Sequence, residues 1–106
     1  MKFIAIFLAC IFALFSNAYA QTNGLKPYQK GDWKAITKPY AGHPLVIHFW
    51  GVTCSPCARE MPLWGKFIAQ HKNAEIIFVQ VDDVSVESAA KMLSNAQLKD
   101  ANSYMI

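Results

Sequence analysis

Cysteine is scarce in this sequence, which has three in 106 residues, and Cys10 belongs to a strongly apolar N-terminal segment. The remaining chain contains only Cys54 and Cys57. A single closely spaced pair excludes the framework of several widely spaced disulfides that supports many small secreted domains. A zinc finger would need two further ligands, and covalent haem attachment would need a histidine where the chain has Ala58. We therefore expect no stable metal and no cofactor.

Clustered positive charge is also lacking. The chain has ten Lys and Arg against seven Asp and Glu, and the basic residues form no run. This balance gives no indication of nucleic-acid binding. Three tryptophans and dense aliphatic runs exclude disorder, and 106 residues are too few for a multidomain enzyme. The composition predicts one small globular domain.

The apolar residues are concentrated at the N-terminus, where they make up 17 of the first 20 positions. A lysine precedes an apolar stretch over residues 3–15, which is short for a membrane span and typical of a signal-peptide core. Ala18 and Ala20 supply the small residues of a cleavage site. We predict a signal peptide over 1–20 and a periplasmic or secreted domain over 21–106. The alternative is an uncleaved N-terminal membrane anchor.

The predicted domain contains two β-type runs, each followed by a helical pattern. Residues 45–50 are bounded by proline and glycine, and we predict a strand buried on both faces. A helix is predicted from about Cys54 to residue 71, with Pro62 kinking or interrupting it. A second strand is predicted over 75–81 and a second helix over 86–99. The strand–helix–strand–helix order predicts an α/β fold with parallel central strands.

The cysteine pair lies where the first strand gives way to the first helix. Ser55 and Pro56 separate the two cysteines, and proline is well accommodated in a first helical turn. A helix N-terminus favours the thiolate form of Cys54, which is the nucleophile in disulfide exchange, and Cys57 is placed to resolve the mixed disulfide. A purely structural disulfide is the alternative, although so short a ring removes little loop entropy. The spacing in this setting favours redox chemistry.

Residues 45–62 (LVIHFWGVTCSPCAREMP) resemble the active-site strand and helix of the thioredoxin superfamily, and specifically of TlpA-like exported thiol–disulfide oxidoreductases. The residues that carry the resemblance are Phe49, Trp50, Cys54, Pro56, Cys57, Glu60 and Pro62. It extends over about residues 31–106. The resemblance implies a thioredoxin-like fold in which Cys54 attacks a substrate disulfide and Cys57 resolves the mixed disulfide.

Further expectations follow from the same resemblance. It implies that Glu60 assists proton transfer near the cysteines, whereas the alternative is a solvated helix charge paired with Arg59 or Lys66. It also implies protein thiols and disulfides as substrates, a membrane thiol-transfer protein as electron donor, and service to cytochrome c maturation. Since Ser55 and Pro56 place no cation between the cysteines, we expect reduction of protein disulfides.

The sequence departs from the family pattern at two positions. His48 stands where thioredoxin-like chains often carry a buried Asp and TlpA-like chains frequently an Asn. A neutral imidazole there would move a proton, a charged one would favour the thiolate, and the alternative is a hydrogen-bonded core histidine. Thr53 replaces the tryptophan usual before the first cysteine, which changes the surface around the cysteine pair. Trp50 is expected to pack in the core beside it.

The family also implies a cis-proline loop facing the cysteines, then a β-hairpin and a closing helix. The sequence contains no Thr-Pro or Ile-Pro segment, so we expect residues 21–106 to hold only the front half of the fold. We accordingly expect this chain alone to fold poorly and to be weakly active.

Two further functions remain open from the sequence. One is a disulfide oxidase or isomerase, and the other is a redox-sensing or copper-handling binding module that uses the same cysteine pair.

Overall fold

The computed structural model describes residues 24–106, so the predicted signal peptide lies outside the described residues. A four-stranded sheet and three α-helices make up the described chain. The elements are β1 (Leu25–Pro27), α1 (Trp33–Thr37), a 3-10 helix (Lys38–Tyr40), β2 (Val46–Trp50), α2 (Ser55–Gln70), β3 (Ile76–Gln80), α3 (Val86–Asn95) and β4 (Ser103–Met105). The predicted α/β class is confirmed.

All strands of the sheet run parallel, in the order β1-β4-β3-β2. The predicted order is confirmed as β2-α2-β3-α3, and Val46 pairs with Ile76 at the start of the two parallel strands of that unit. The sequence pattern does not predict β1 and β4, which have three residues each. Because parallel strands end at the same edge of a sheet, the loops that follow β2 and β3 lie side by side.

The two strands predicted from the sequence, β2 and β3, differ in burial. All five residues of β3 are buried, but β2 lies at one edge of the described sheet. Val46 is 46% exposed and Phe49 is 58% exposed, so the predicted burial of this run on both faces is wrong. An apolar run by itself does not distinguish a central strand from an edge strand, because that depends on which elements pack against it.

One core joins β2 and β3 to the two long helices. Trp50, Met61, Phe78 and Leu93 belong to it, and each is at most 1% exposed. The expected packing of Trp50 in the core is thereby confirmed. Full burial of an aliphatic or aromatic side chain contributes about 1.5–3 kcal/mol, so these contacts hold α2 against the sheet.

Helix α2 continues through Pro62, so of the two predicted effects of this proline the interruption is wrong, and the kink stays a prediction. An interior proline removes one backbone hydrogen bond and costs about 3 kcal/mol. Tertiary contacts lie on both sides of it, since Met61 is fully buried and the buried Gly65 lies against the end of α3. Packing therefore outweighs the local preference to end the helix.

Helix α3 ends at Asn95, several residues before the predicted end near 99. Gln97 adopts a left-handed conformation with φ of 62°. Its N–H donates to the Ser94 carbonyl at 3.1 Å, and the Leu98 N–H donates to the Leu93 carbonyl at 2.8 Å. These two bonds form a Schellman motif, which ends the helix although the motif usually has glycine at this position.

Candidate redox site

Cys54 and Cys57 form a disulfide with their Cα atoms 5.2 Å apart. Cys54 is the N-cap of α2, and its Sγ accepts a hydrogen bond from the Cys57 N–H at 3.2 Å. The predicted position at the end of a strand and the start of a helix is confirmed. Ser55 and Pro56 are exposed in the first turn, while Cys57 packs against the core. The first sulfur therefore lies where the helix dipole favours negative charge, and the second is anchored beside it.

The loop that joins β2 to the first cysteine is held by one carboxylate, that of Asp82, which follows β3. Asp82 Oδ1 accepts a hydrogen bond from the Val52 N–H at 3.0 Å. Its Oδ2 accepts from the Thr53 N–H at 2.7 Å and from the Thr53 hydroxyl at 2.8 Å. Gly51 permits this approach, since a Cβ there would lie 3.0 Å from the carboxylate. The neighbouring strand thus fixes the backbone that leads into the site.

Asp82 is held as a carboxylate by its surroundings. Burial by itself raises the pKa of this carboxyl. The hydrogen bonds from Thr53 and Val52 together lower the pKa by more than burial raises it, so the pKa lies below its usual value. Gln80, fully buried in β3, donates its side-chain amide to the carboxylate and to the Asp82 carbonyl, the latter at 2.8 Å. A chain of contacts therefore runs from the buried strand to the loop before the cysteines.

His48 lies in β2 among aromatic rings. Its ring centroid is 5.0 Å from that of Trp64 and 5.7 Å from that of Phe78. Its Nε2 is buried and has no hydrogen-bond partner among the described residues. Burial lowers the pKa of His48, and the charge of Glu60 only partly offsets this. Of the two protonation states considered from the sequence, these surroundings favour the neutral imidazole.

An open, mostly apolar groove runs between β2 and α2. Its lining residues are Val46, His48, Glu60, Leu63, Trp64 and Phe67. Glu60 is exposed on its rim, one helical turn beyond the second cysteine. The structure therefore brings Glu60 close enough to His48 to affect its pKa, but its predicted part in proton transfer stays a prediction.

Two structural features are absent from residues 24–106. No group of three or more His, Cys, Asp and Glu side chains is arranged there to hold a metal ion. The helices within this range are also too short or too polar to span a membrane.

Comparison with known proteins finds similarity to thiol-disulfide oxidoreductases. Thiol-disulfide oxidoreductase ResA of Bacillus thuringiensis subsp. konkukian is 33% identical over 62 residues, which cover 55% of this chain and 36% of the relative. Sporulation thiol-disulfide oxidoreductase A of Bacillus subtilis is 28% identical over 60 residues, covering 57% and 36%. ResA of Geobacillus thermodenitrificans is 38% identical over 56 residues, covering 49% and 32%. No family model and no solved structure matches.

The matched part of the chain is similar to thiol–disulfide oxidoreductases of the TlpA-like family. It spans about a third of the length of these curated relatives. The parallel sheet with helices is consistent with the thioredoxin-like fold of that family.

Two residues near the cysteine pair were not identified from the sequence. Asp82 holds the loop before Cys54, and Gly65 lets α2 approach α3. A signal for Asp82 does exist, because an acidic residue directly after a strand lies at the same sheet edge as the cysteines of the adjacent parallel strand. No local signal marks Gly65, since a glycine inside a helical pattern gives no sign of what lies opposite.

Proposed function

We propose that this chain is an exported thiol–disulfide oxidoreductase that reduces protein disulfides through Cys54 and Cys57. The observation that supports it most directly is the disulfide at the N-terminus of α2, with the Cys57 N–H directed at the Cys54 sulfur. The named relatives, which are thiol–disulfide oxidoreductases, support the same reaction class. The N-terminal pattern over residues 1–20 supports export to the periplasm or beyond.

The reaction begins with both cysteines reduced. The Cys54 thiolate attacks one sulfur of a substrate disulfide, forming a mixed disulfide and releasing the other substrate sulfur as a thiolate, which takes up a proton. The Cys57 thiolate then attacks the Cys54 sulfur, which releases the second substrate thiol. Two electrons pass to the substrate, and the protein is left with the disulfide present in the structure.

Other residues are assigned supporting parts in this proposal. The hydrogen bond from the Cys57 N–H and the helix dipole stabilise negative charge on Cys54. His48 is neutral, and its Nε2 has no hydrogen-bond partner within residues 24–106. Together with Glu60 on the groove rim, it is a candidate for proton exchange with the site. Trp50, the last residue of β2, is buried in the core and anchors the end of the strand that leads to the site. A membrane thiol-transfer protein would return electrons to the disulfide, and cytochrome c maturation is a process that such a reductase would serve.

The direction of electron flow rests on the residues between the cysteines. Strongly oxidising and thioredoxin-type sites differ by about 150 mV, which is roughly 7 kcal/mol and depends on how well the reduced form is stabilised. Ser55 and Pro56 add no cation that would further stabilise a thiolate. We therefore propose reduction as the direction. A reduction potential above about −150 mV would contradict it and indicate an oxidase or isomerase.

A trapping experiment tests the reaction itself. In Cys57→Ser, the mixed disulfide on Cys54 has no resolving thiol, so a covalent complex with a disulfide-containing protein such as insulin accumulates on non-reducing gels. The matched control is Cys54→Ser, which should trap nothing and should lose insulin reduction. If the first variant traps no complex and the second still reduces insulin, the proposed activity is wrong. Stoichiometric copper on the reduced protein would instead indicate a metal-handling module.

A further inference from the structure

The connection between Asp82 and the cysteine loop has a functional consequence. Three donors of Val52 and Thr53 converge on one carboxylate, at distances of 2.7 to 3.0 Å. Hydrogen bonds to an ionised acceptor are roughly twice as strong as neutral ones. These three hydrogen bonds hold a loop of only three residues, 51–53, and the loop directly precedes Cys54.

The loop also sets the geometry of the helix cap. The Cys54 N–H donates to the Gly51 carbonyl at 3.4 Å, and the Cys54 carbonyl accepts from the Ala58 N–H at 3.0 Å. Cys54 itself has extended φ and ψ of −90° and 104°, as an N-cap residue needs. A loop free to change conformation would move the Cys54 sulfur away from the N–H groups at the helix start. The stabilisation of a thiolate there depends on that alignment.

We infer that Asp82 is a positioning residue of the redox site, which acts through the Thr53 backbone and hydroxyl to hold Cys54 at the helix N-terminus. The inference rests on the proposed function, because it concerns the reactivity of the attacking cysteine. Thr53 is part of the arrangement, since its hydroxyl supplies one of the three hydrogen bonds. The residue that departs from the family pattern therefore has a partner of its own in this chain.

The alternative is that Asp82 affects the cysteine only as a nearby negative charge. That effect would destabilise the thiolate, so removal of the charge would make Cys54 more reactive. Positioning predicts the opposite sign, because loss of the hydrogen bonds weakens the alignment with the helix terminus. The two explanations are separated by a variant that removes a hydrogen bond and leaves the charge in place.

The test is the rate of alkylation of Cys54 by iodoacetamide in the reduced full chain, followed by peptide mass spectrometry over a range of pH. Thr53→Val removes the hydroxyl donor without changing any charge, and Asp82→Asn removes the charge while keeping the shape. We expect each to slow alkylation at pH 7 about two- to fivefold, the range that interactions at a helix terminus cover, and to shift the pH profile upward. Thr53→Ser, which keeps the hydroxyl, should restore the rate.

Asp83→Asn is the matched control. Asp83 is the exposed neighbour with the same charge, so its substitution should leave the alkylation rate unchanged. Unchanged rates in Thr53→Val, or faster alkylation in both aspartate variants, would overturn the inference. If Asp82→Asn does not fold, Thr53→Val alone decides. Alkylation requires no substrate protein, so slowed variants together with failed trapping in Cys57→Ser would reject the proposed function and leave the positioning role intact.

Discussion

Gly65 is the position at which the helix that carries the cysteines lies closest to α3. A Cβ added there would be 1.9 Å from the Ala96 carbonyl oxygen and 3.1 Å from its carbonyl carbon. A close carbon–oxygen contact needs about 3.3 Å, so Gly65→Ala requires the two helices to separate by about 1.4 Å. The obstructing atom belongs to the backbone, and a rotamer change cannot relieve the contact.

Two effects of opposite sign determine the stability of Gly65→Ala. Alanine is favoured over glycine inside a helix by about 1 kcal/mol. Overpacking typically costs about 1–3 kcal/mol, and a backbone clash at a buried site belongs at the upper end. We therefore expect a net loss of about 2 kcal/mol in the free energy of unfolding.

Urea denaturation followed by tryptophan fluorescence measures this loss. Lys66→Ala, at the exposed next position of the same helix, serves as the control and should change stability by less than about 0.5 kcal/mol. A Gly65→Ala protein as stable as the wild type, or more stable, would refute the close approach of α2 to α3. The reasoning would then be wrong in its geometry, since the propensity term is independent of the tertiary structure.

Three further predictions concern stability. Burial lowers the pKa of His48, so the unfolded chain binds a proton on this imidazole at a higher pH than the folded chain does, and stability should fall as pH drops below about 6.5. The urea midpoints at pH 7.5 and 5.5 should differ less in His48→Asn than in the exposed control His43→Asn. Gln97→Gly should raise the free energy of unfolding by about 0.5–1 kcal/mol, because glycine adopts the left-handed conformation freely; a loss in urea denaturation would contradict this. Ser85→Ala should cost about 1 kcal/mol in the same assay by removing the cap on the Ser88 N–H, whereas Ser94→Ala, at an exposed position in the last turn of α3, should be nearly neutral.

Local patterns were sufficient for the elements that carry the cysteines. The apolar run before Gly51 and the run before Asp82 each predicted a strand, and the spacing between them predicted a parallel pair joined by a helix. The position of Cys54 at the junction followed from that order alone. These features depend on residues within about one turn or one strand of each other, so they can be read from the sequence.

Other features were decided by contacts between distant segments. Pro62 lies within a continuous helix, because packing on both sides of it opposes the local preference. The left-handed Gln97 ends α3 earlier than the apolar periodicity indicates. The exposure of Phe49 depends on which elements pack against its face of β2. In each case the local preference amounts to a few kcal/mol at most, and tertiary contacts of similar size override it.

The sequence by itself determined that this protein has a Cys-x-x-Cys pair at a strand-to-helix junction of an α/β fold. It did so because cysteine spacing and apolar periodicity are local properties. Only the tertiary structure showed that the Asp82 carboxylate, about thirty residues beyond the loop in sequence, holds the backbone in front of Cys54. Hydrogen bonds between the ends of adjacent parallel strands depend on register and approach, which the chain acquires only when the sheet has formed.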